Sequence, residues 1–361
     1  MVSIAKGLML KYSGMKLSGL LGTSDFFALD IGTTAVRAVQ LRGGSQKSLA
    51  KYGSMPIGVK VAQSDSPEDK RKLADAISKL LSQAKINTKD VVVGIPSNKM
   101  FAAVVDFPKL PMGELEKTIN YQADTHVPMS RDEAKIDWAI LGDSPSGADK
   151  TEVLIASVSN QYAEGRLEML ESLGLNVVAI EPDALGLSRA LLPKDTQGAV
   201  LILDIGAQAT DLVVVLNQSP RLIRSIPTGG ESFVKAAIQN LNIDEKQATQ
   251  FVYKFGLNQD KLEGQVYRAI ESTVDSIVTE VQKSIKFFST RYAGVNIDKI
   301  VVSGGASTLP GFPLYVANKL GIQVEIGNAW QNVSYPQSKH NDLIALSNHF
   351  AVTVGLAERG I

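Results

Sequence analysis

From Asp25 onward, apolar runs of strand length alternate with stretches whose apolar residues recur at helical spacing. That alternation predicts an α/β protein. Phe26–Ile31 and Val36–Leu41 flank Gly32-Thr33-Thr34 and read as a hairpin. Ser66-Pro67-Glu68-Asp69 opens a helix, with Ser66 as cap, Pro67 in the first turn and Leu73, Ile77 and Leu80 as the buried stripe. Strands follow at Val91–Ile95 and Phe101–Phe107, then a short helix from Glu114 to Thr125. Trp138–Leu141 and Val153–Val158 resume strands across a Gly142–Lys150 turn rich in Asp, Ser, Pro and Gly. Residues 98–158 thus form a small α+β insertion. Beyond it, a helix over Asn160–Leu173 stops at Gly174, and a strand at Val177–Ile180 leads into Glu181-Pro182-Asp183.

The sequence repeats itself once. Ala28-Leu29-Asp30-Ile31-Gly32-Thr33-Thr34 recurs as Leu203-Asp204-Ile205-Gly206-Ala207-Gln208, each copy followed by a second apolar strand, which implies two related halves. The second half continues through Leu222–Ile226, a helix at Glu231–Leu241 opened by Gly229-Gly230, and a long helix from about Leu262 to Thr290. In that helix Val266, Ile270, Val274, Ile277, Val281, Ile285 and Phe288 form one continuous seam, read as core. A strand at Lys299–Ser303 reaches Gly304-Gly305, and a helix near Leu343–Leu356 closes the chain.

Composition narrows the functional classes. The 361 residues carry 37 basic and 37 acidic side chains and no cysteine, which excludes a disulfide scaffold, a thiol nucleophile and a cysteine zinc site. Zero net charge argues against nucleic acid as a partner. No apolar run approaches the roughly 20 residues of a membrane span. His126, His340 and His349 lack metal-ligand spacing and read as surface or loop residues. Arg131, Asp132 and Glu133 read as a solvated turn, and Phe101, Phe107 and Tyr121 as core of the insertion. Residues 1–24 hold Lys6, Lys11 and Lys16 but no acid, with Ile4, Leu8, Tyr12 and Met15 at helical spacing. This segment reads as a mobile or partner-docked basic tail, or as an amphipathic helix on a membrane surface. Lys11 and Lys16 interrupt any apolar core a signal peptide would need.

The repeated turn carries the candidate chemistry. An Asp at a strand end followed by Gly and hydroxyl residues presents backbone N–H groups to a phosphate and a carboxylate to a hydrated metal. In the first copy Asp30, Gly32, Thr33 and Thr34 have these roles, and Arg37 points back as a phosphate cation. The second copy runs from Asp204 through Gly206, Ala207 and Gln208 to Thr210. Two such turns clamp a polyphosphate from both sides, with Asp30 and Asp204 holding Mg²⁺ through waters. Gly229-Gly230-Glu231 and Gly304-Gly305-Ala306 let a base and ribose approach backbone without Cβ interference.

With these motifs the chain resembles the actin, hexokinase and heat-shock chaperone superfamily, whose phosphate loop, connecting element, second phosphate loop and adenosine loop recur in this order. The resemblance implies a two-lobed, actin-like (ribonuclease H-like) fold that binds ATP or ADP with Mg²⁺. Its first lobe is expected at 25–97, 159–198 and 341–361, its second at 199–340, with 98–158 inserted. By resemblance Glu181 of Glu181-Pro182-Asp183-Ala184 orients the attacking water; read alone it is a helix-start acid beside Pro182.

Within the superfamily, three segments are similar to the PilM family of type IV pilus assembly, an FtsA-like branch. They are Phe27 to Leu41, the insertion with Gly94-Ile95-Pro96, Leu110-Pro111-Met112, Glu114-Leu115 and Val127-Pro128, and the closing Ala351 to Arg359. This resemblance implies a cytoplasmic adaptor of the inner-membrane complex that binds the cytosolic amino-terminal tail of a PilN-like protein. It leaves pilus motor ATPases and a homo-oligomer open as further partners. The chain departs from the family in two places. Where relatives carry Ala-Glu-x-x-Lys, it has Ala248-Thr249-Gln250-Phe251-Val252, losing both polar contacts unless Lys254 substitutes. Arg37 replaces the usual lysine with a fork. Hydrolysis is accordingly expected to be slow or absent. Three other readings stay open: an FtsA-like filament-forming membrane protein, a nucleotide-free scaffold and a small-molecule kinase.

Overall fold

The computed structural model describes residues 25–360 apart from Ser45, Asp65 and Arg131. The expected tail at 1–24 and Arg131 of the expected turn lie outside the described residues. β1 (Phe27–Ile31) is wholly buried, and β2 (Ala35–Arg42) folds back on it with Asp30 opposite Arg37. β3 (Lys47–Pro56) continues the meander. The apolar pattern does not mark this strand, which is only half-buried and carries Gly53 where Leu80 and Ala84 pack closest. After α1 (Val59–Gln63), α2 (Pro67–Gln83) starts as the sequence predicts, the Ser66 hydroxyl accepting from the Asp69 N–H at 3.1 Å. Leu73, Ile77 and Leu80 are its buried stripe. β4 (Asp90–Ile95) then lies parallel to β1.

The insertion is a separate three-stranded antiparallel sheet, built from β5 (Met100–Pro108), α3 (Met112–Gln122), β6 (Ala134–Asp143) and β7 (Lys150–Ser159) in the order β5-β7-β6. Phe107, Leu115, Ile119 and Ile155 form its core. Tyr121, read as core from the sequence, is 82% exposed on the outer face of α3. The chain returns through α4 (Asn160–Ser172), whose end is turned by Gly174 at φ 72°, into β8 (Asn176–Pro182) and α5 (Asp183–Leu191).

The second half repeats the first. β9 (Ala199–Ile205), β10 (Thr210–Leu216) and β11 (Ser219–Ile226) form a meander. Three helices follow: α6 (Gly230–Leu241), α7 (Glu245–Phe255) and α8 (Gln265–Arg291). β12 (Ile297–Ser303) adds parallel to β9, and after α9 (Phe312–Leu320), β13 (Val324–Ile326) adds parallel to β12. The sheet order β11-β10-β9-β12-β13 therefore matches β3-β2-β1-β4-β8 of the first half. The α8 seam lies in the second core as expected, Ile285 being partly buried. One boundary moves. β14 (Val333–Ser334) pairs with β3, so the chain has rejoined the first sheet before residue 340.

α5 and α10 (His340–Ala357) lie between the two sheets, in one core with Ala28, Val39 and Val92 on one side and Ile202, Val213 and Val301 on the other. They meet at Gly186 and Gly355. A Cβ on Gly355 would fall on the Gly186 carbonyl oxygen, and one on Gly186 would sit 2.9 Å from the Val352 oxygen. Arg189 donates to the Gly355 carbonyl, and Gln331 and Asn332 donate to the Ala190, Arg189 and Leu192 carbonyls at the end of α5.

A second buried contact docks the insertion on the second half. Glu152 of β7, 1% exposed, accepts from Arg291 Nε at 2.9 Å and the Tyr292 hydroxyl at 2.8 Å, and pairs with Arg221 Nε at 3.2 Å. Arg291 also reaches Asp106 of β5. Two stability outcomes follow. Gly355→Ala should cost about 3 kcal/mol in urea unfolding because the helices must separate, whereas Gly113→Ala, where a Cβ meets nothing within 4 Å, should be near neutral or stabilising. Glu152→Gln should also cost roughly 3 kcal/mol, since it leaves buried guanidinium charge unpaired.

Candidate functional site

The two repeated turns have the same backbone. Gly32 N–H donates to the Ala35 carbonyl at 3.1 Å, and Gly206 N–H to the Ala209 carbonyl at 2.9 Å. They border a common cleft of about 520 Å³. Asp30, Gly32, Thr33, Thr34 and Arg37 line it from the first half, and Asp204, Gly206, Ala207 and Gln208 from the second. Gly305 and Ala306 also line it, with Thr308 and His349.

Other expected site residues lie behind this surface. Gly229, Gly230 and Glu231 do not line the cleft; they brace the second turn, because Gly230 N–H donates to the Gly206 carbonyl and Glu231 N–H to the Ala207 carbonyl. Gly304, at φ 86°, is pressed against the Ile205 backbone. Thr210 is fully buried and donates its hydroxyl to the Thr228 carbonyl at 2.7 Å, so it cannot reach a phosphate. Glu181 is also withheld. Its carboxylate is paired with Arg189 and, at 3.3 Å, with Arg359, and it does not line the cleft. The carboxylate that enters from the Glu181-Pro182-Asp183 motif is Asp183, the first residue of α5, packed over Gly94 where a Cβ has no room.

The missing polar pair of α7 is not restored. Val252 is in the core, and Thr249 is exposed and bonded to the Glu245 carbonyl. Lys254 stands over the Phe255 ring at 5.4 Å and does not line the cleft. Tyr253 is the α7 residue that does.

Asp211 is a second residue that motif reading stops short of. Aligning the repeat one position further, Asp30…Arg37 falls on Asp204…Asp211, and both pairs lie opposite each other across their hairpins. The first half thus balances its acid with a guanidinium at 3.3 Å; the second sets acid against acid. Burial first, and Asp211 and Asp30 beside it, push the Asp204 carboxyl up to about 7 against the opposing pull of Ser303 and Arg37. Asp183 is raised well above the carboxylate range by burial and then by Asp30, Asp211 and Asp204. Asp30 and Asp211 are raised by burial as well, against Arg37 for the first and the Ser225 and Ser97 hydroxyls for the second. Four carboxyls crowd one end of the cleft, and such a cluster favours a bound cation. Among the described residues no group of three or more acidic or imidazole side chains is close enough to ligate an ion directly. The donor set therefore fits a hydrated Mg²⁺ better than a stripped one. At the rim, Lys99 and Arg166 stand over the Tyr162 ring at 5.9 and 5.3 Å, as cations a terminal phosphate can meet.

Two matching half-sheets around a cleft, with an acidic turn from each, define an actin-like protein of two lobes. The model for the type IV pilus assembly protein PilM matches residues 28–361, and the chain belongs to that family. Among solved structures it is similar to a chain of a PilM-PilN type IV pilus biogenesis complex, with 24% identity and a TM-score of 0.79 over 94% of this chain and 99% of that one. The ethanolamine utilization protein EutJ from Carboxydothermus hydrogenoformans shares the fold at 15% identity and a TM-score of 0.58, over 94% and 91%. So does MreB5 of Spiroplasma citri bound to AMPPNP, at 15% and 0.53, over 93% and 95%.

The raised carboxyls make stability depend on pH. An Asp with a raised folded-state pKa contributes stability that is present below its ordinary value near 4 and lost as pH rises through 7. Urea unfolding of the ligand-free protein should therefore show falling stability from pH 5 to pH 8. Asp204→Asn should flatten part of that slope and stabilise the protein at pH 8 by about 1–3 kcal/mol. Glu358, which burial also pushes up to about 7, keeps some slope in the variant.

Proposed function

We propose that the chain is an actin-like adaptor of type IV pilus assembly that binds ATP or ADP with Mg²⁺ between its lobes. In this reading it takes the cytosolic amino-terminal tail of a PilN-like inner-membrane protein and works at the cytoplasmic face of that membrane. The observation that carries the nucleotide reading is the pair of matching turns on one cleft, with Asp30, Asp183, Asp204 and Asp211 gathered beside them. Donors from both turns suit phosphate oxygens, and Mg²⁺ supplies the positive charge that the acid cluster and a polyphosphate both need. Asp30 and Asp204 would hold it through water. The MreB5 neighbour's bound AMPPNP agrees with a nucleotide in this fold. The partner reading rests on the complex with PilN. No helix among the described residues is long and apolar enough to cross a membrane; in this reading the PilN-like partner carries the membrane attachment.

Slow or absent hydrolysis follows from the acids nearest the cleft. A general base must be ionised and within reach of the attacking water. Glu181 is ion-paired with two arginines away from the cleft, and burial with the neighbouring Asp30, Asp211 and Asp204 disfavours the ionised form of Asp183.

Calorimetric titration with ATP in the presence of Mg²⁺ tests the reading. Binding should weaken at least about tenfold in Asp30→Ala and Asp204→Ala. Without Mg²⁺ the two variants should bind ATP no worse than the wild type, since each removes a carboxylate that repels phosphate. Absence of binding by the wild type would leave a scaffold without nucleotide. For the partner, a fluorescent peptide of the PilN-like tail should bind the chain, and its affinity should differ between MgATP-bound and ligand-free protein.

A further inference from the structure

We propose that Tyr253 is the base-recognition residue of the cleft, its ring forming the platform on which the base of a bound nucleotide stacks. The inference rests on the nucleotide reading above and adds the residue that the base meets.

α7 runs past the cleft, and its other apolar side chains and Lys254 are placed elsewhere. Ala248 and Val252 fill the core, Phe251 and Phe255 pack edge to face, and Lys254 covers Phe255. Tyr253 alone of the described α7 residues lines the cleft. Its hydroxyl lies 2.6 Å from where a Cβ on Gly230 would stand, and the Ala306 Cβ lies 3.0 Å from the same point. Gly230 thus leaves room for the phenol, and Tyr253 and Ala306 line one corner of the cleft with Gly230 behind them. That corner is walled by small side chains, unlike the end where the carboxyls gather.

The hydrogen bonds place this corner next to the second phosphate turn. The second phosphate turn is joined to the start of α6 by Gly230 N–H to Gly206 O at 3.0 Å and Glu231 N–H to Ala207 O at 2.8 Å. Tyr253 therefore sits beside that turn, and a nucleotide with its phosphates between the two turns and its base at this corner would meet the Tyr253 ring. With its hydroxyl end wedged by Gly230, the side chain loses little freedom on binding, and 39% of the residue is exposed for a base to cover. Burial and Glu231 keep the phenol protonated, so it also offers a donor. Stacking of this kind tolerates different bases but needs a ring.

The test compares MgATP with Mg-tripolyphosphate, which has the phosphates and no base. Calorimetry on the full chain should show Tyr253→Ala weakening MgATP by at least about fivefold while tripolyphosphate affinity stays within about twofold of the wild type. Tyr253→Phe, which keeps the ring, should hold MgATP within about threefold of the wild type. Retained tripolyphosphate binding by Tyr253→Ala shows that the cleft is folded. Equal loss of both ligands, or no loss of either, overturns the role of Tyr253 while leaving wild-type nucleotide binding in place. A wild type that binds neither ligand overturns the nucleotide reading and this inference together.

Discussion

The structure depends on the crossing of two helices through a pair of glycines. α5 leaves the first sheet and α10 ends the chain, and both must fit between two sheets that each offer a continuous apolar face. Gly186 and Gly355 allow the backbones to touch, so the core that includes Ala28, Val92, Ile202 and Val301 closes without a gap. Close backbone approach excludes side chains from the crossing, and interior packing gives little room to compensate. Arg189 then ties the crossing sideways to the Gly355 carbonyl and to Glu181. The acid expected to serve chemistry instead neutralises the guanidinium that fastens this joint, and Asp183, two residues on, is delivered to the cleft by the same helix start.

Asymmetry within a symmetric framework sets the electrostatics of the site. The two halves place their first-strand acids at equivalent points, and seven residues later one half has Arg37 and the other Asp211. A single exchange of charge sign at one hairpin position turns a neutral pair into an acid pair. Carboxyls this close and this buried cannot all ionise in an empty cleft, so some hold protons at neutral pH. A divalent cation bound there would displace those protons and supply the positive charge. Under the proposed nucleotide reading, this favours an anion that arrives with a metal.

Much of this was legible from residue order. The Asp-Ile-Gly repeat announced two halves, and hydrophobic spacing located the insertion and most of the other elements, though not β3, α1, α5, α7, α9, β13 or β14. The family resemblance supplied the two-lobed fold, which the matching sheet orders bear out. What escaped the sequence did so for physical reasons. β3 is half-exposed, so its apolar pattern is weak. Asp183 and Glu181 are two residues apart in one motif, and only the three-dimensional position of Arg189 and Arg359 decides which is free. Tyr253 lies beside a position where the family resemblance leads one to expect lysine, and a helix turns by about 100° per residue, so the neighbour of a buried Val252 can be the one that emerges in the cleft. Asp211 was legible and was missed by reading the repeat one residue short.

The insertion is held at both ends. Its strands leave the first lobe after β4 and return to it before α4, while Glu152 and Asp106 are gripped by Arg221, Arg291 and Tyr292 of the second. Glu152 is buried with its charge satisfied from three side chains, so letting go would strand an ion in a poorly solvated place. Any change in the angle between the lobes must therefore either open that contact or bend the two connections near Pro96 and Ser159. Both connections are short, and Asn98 and Lys99 of the first also line the cleft. A ligand that draws the lobes together acts on one end of the segment whose other end is fixed to β11 and α8. If a ligand draws the lobes together, the insertion cannot keep its place relative to both of them.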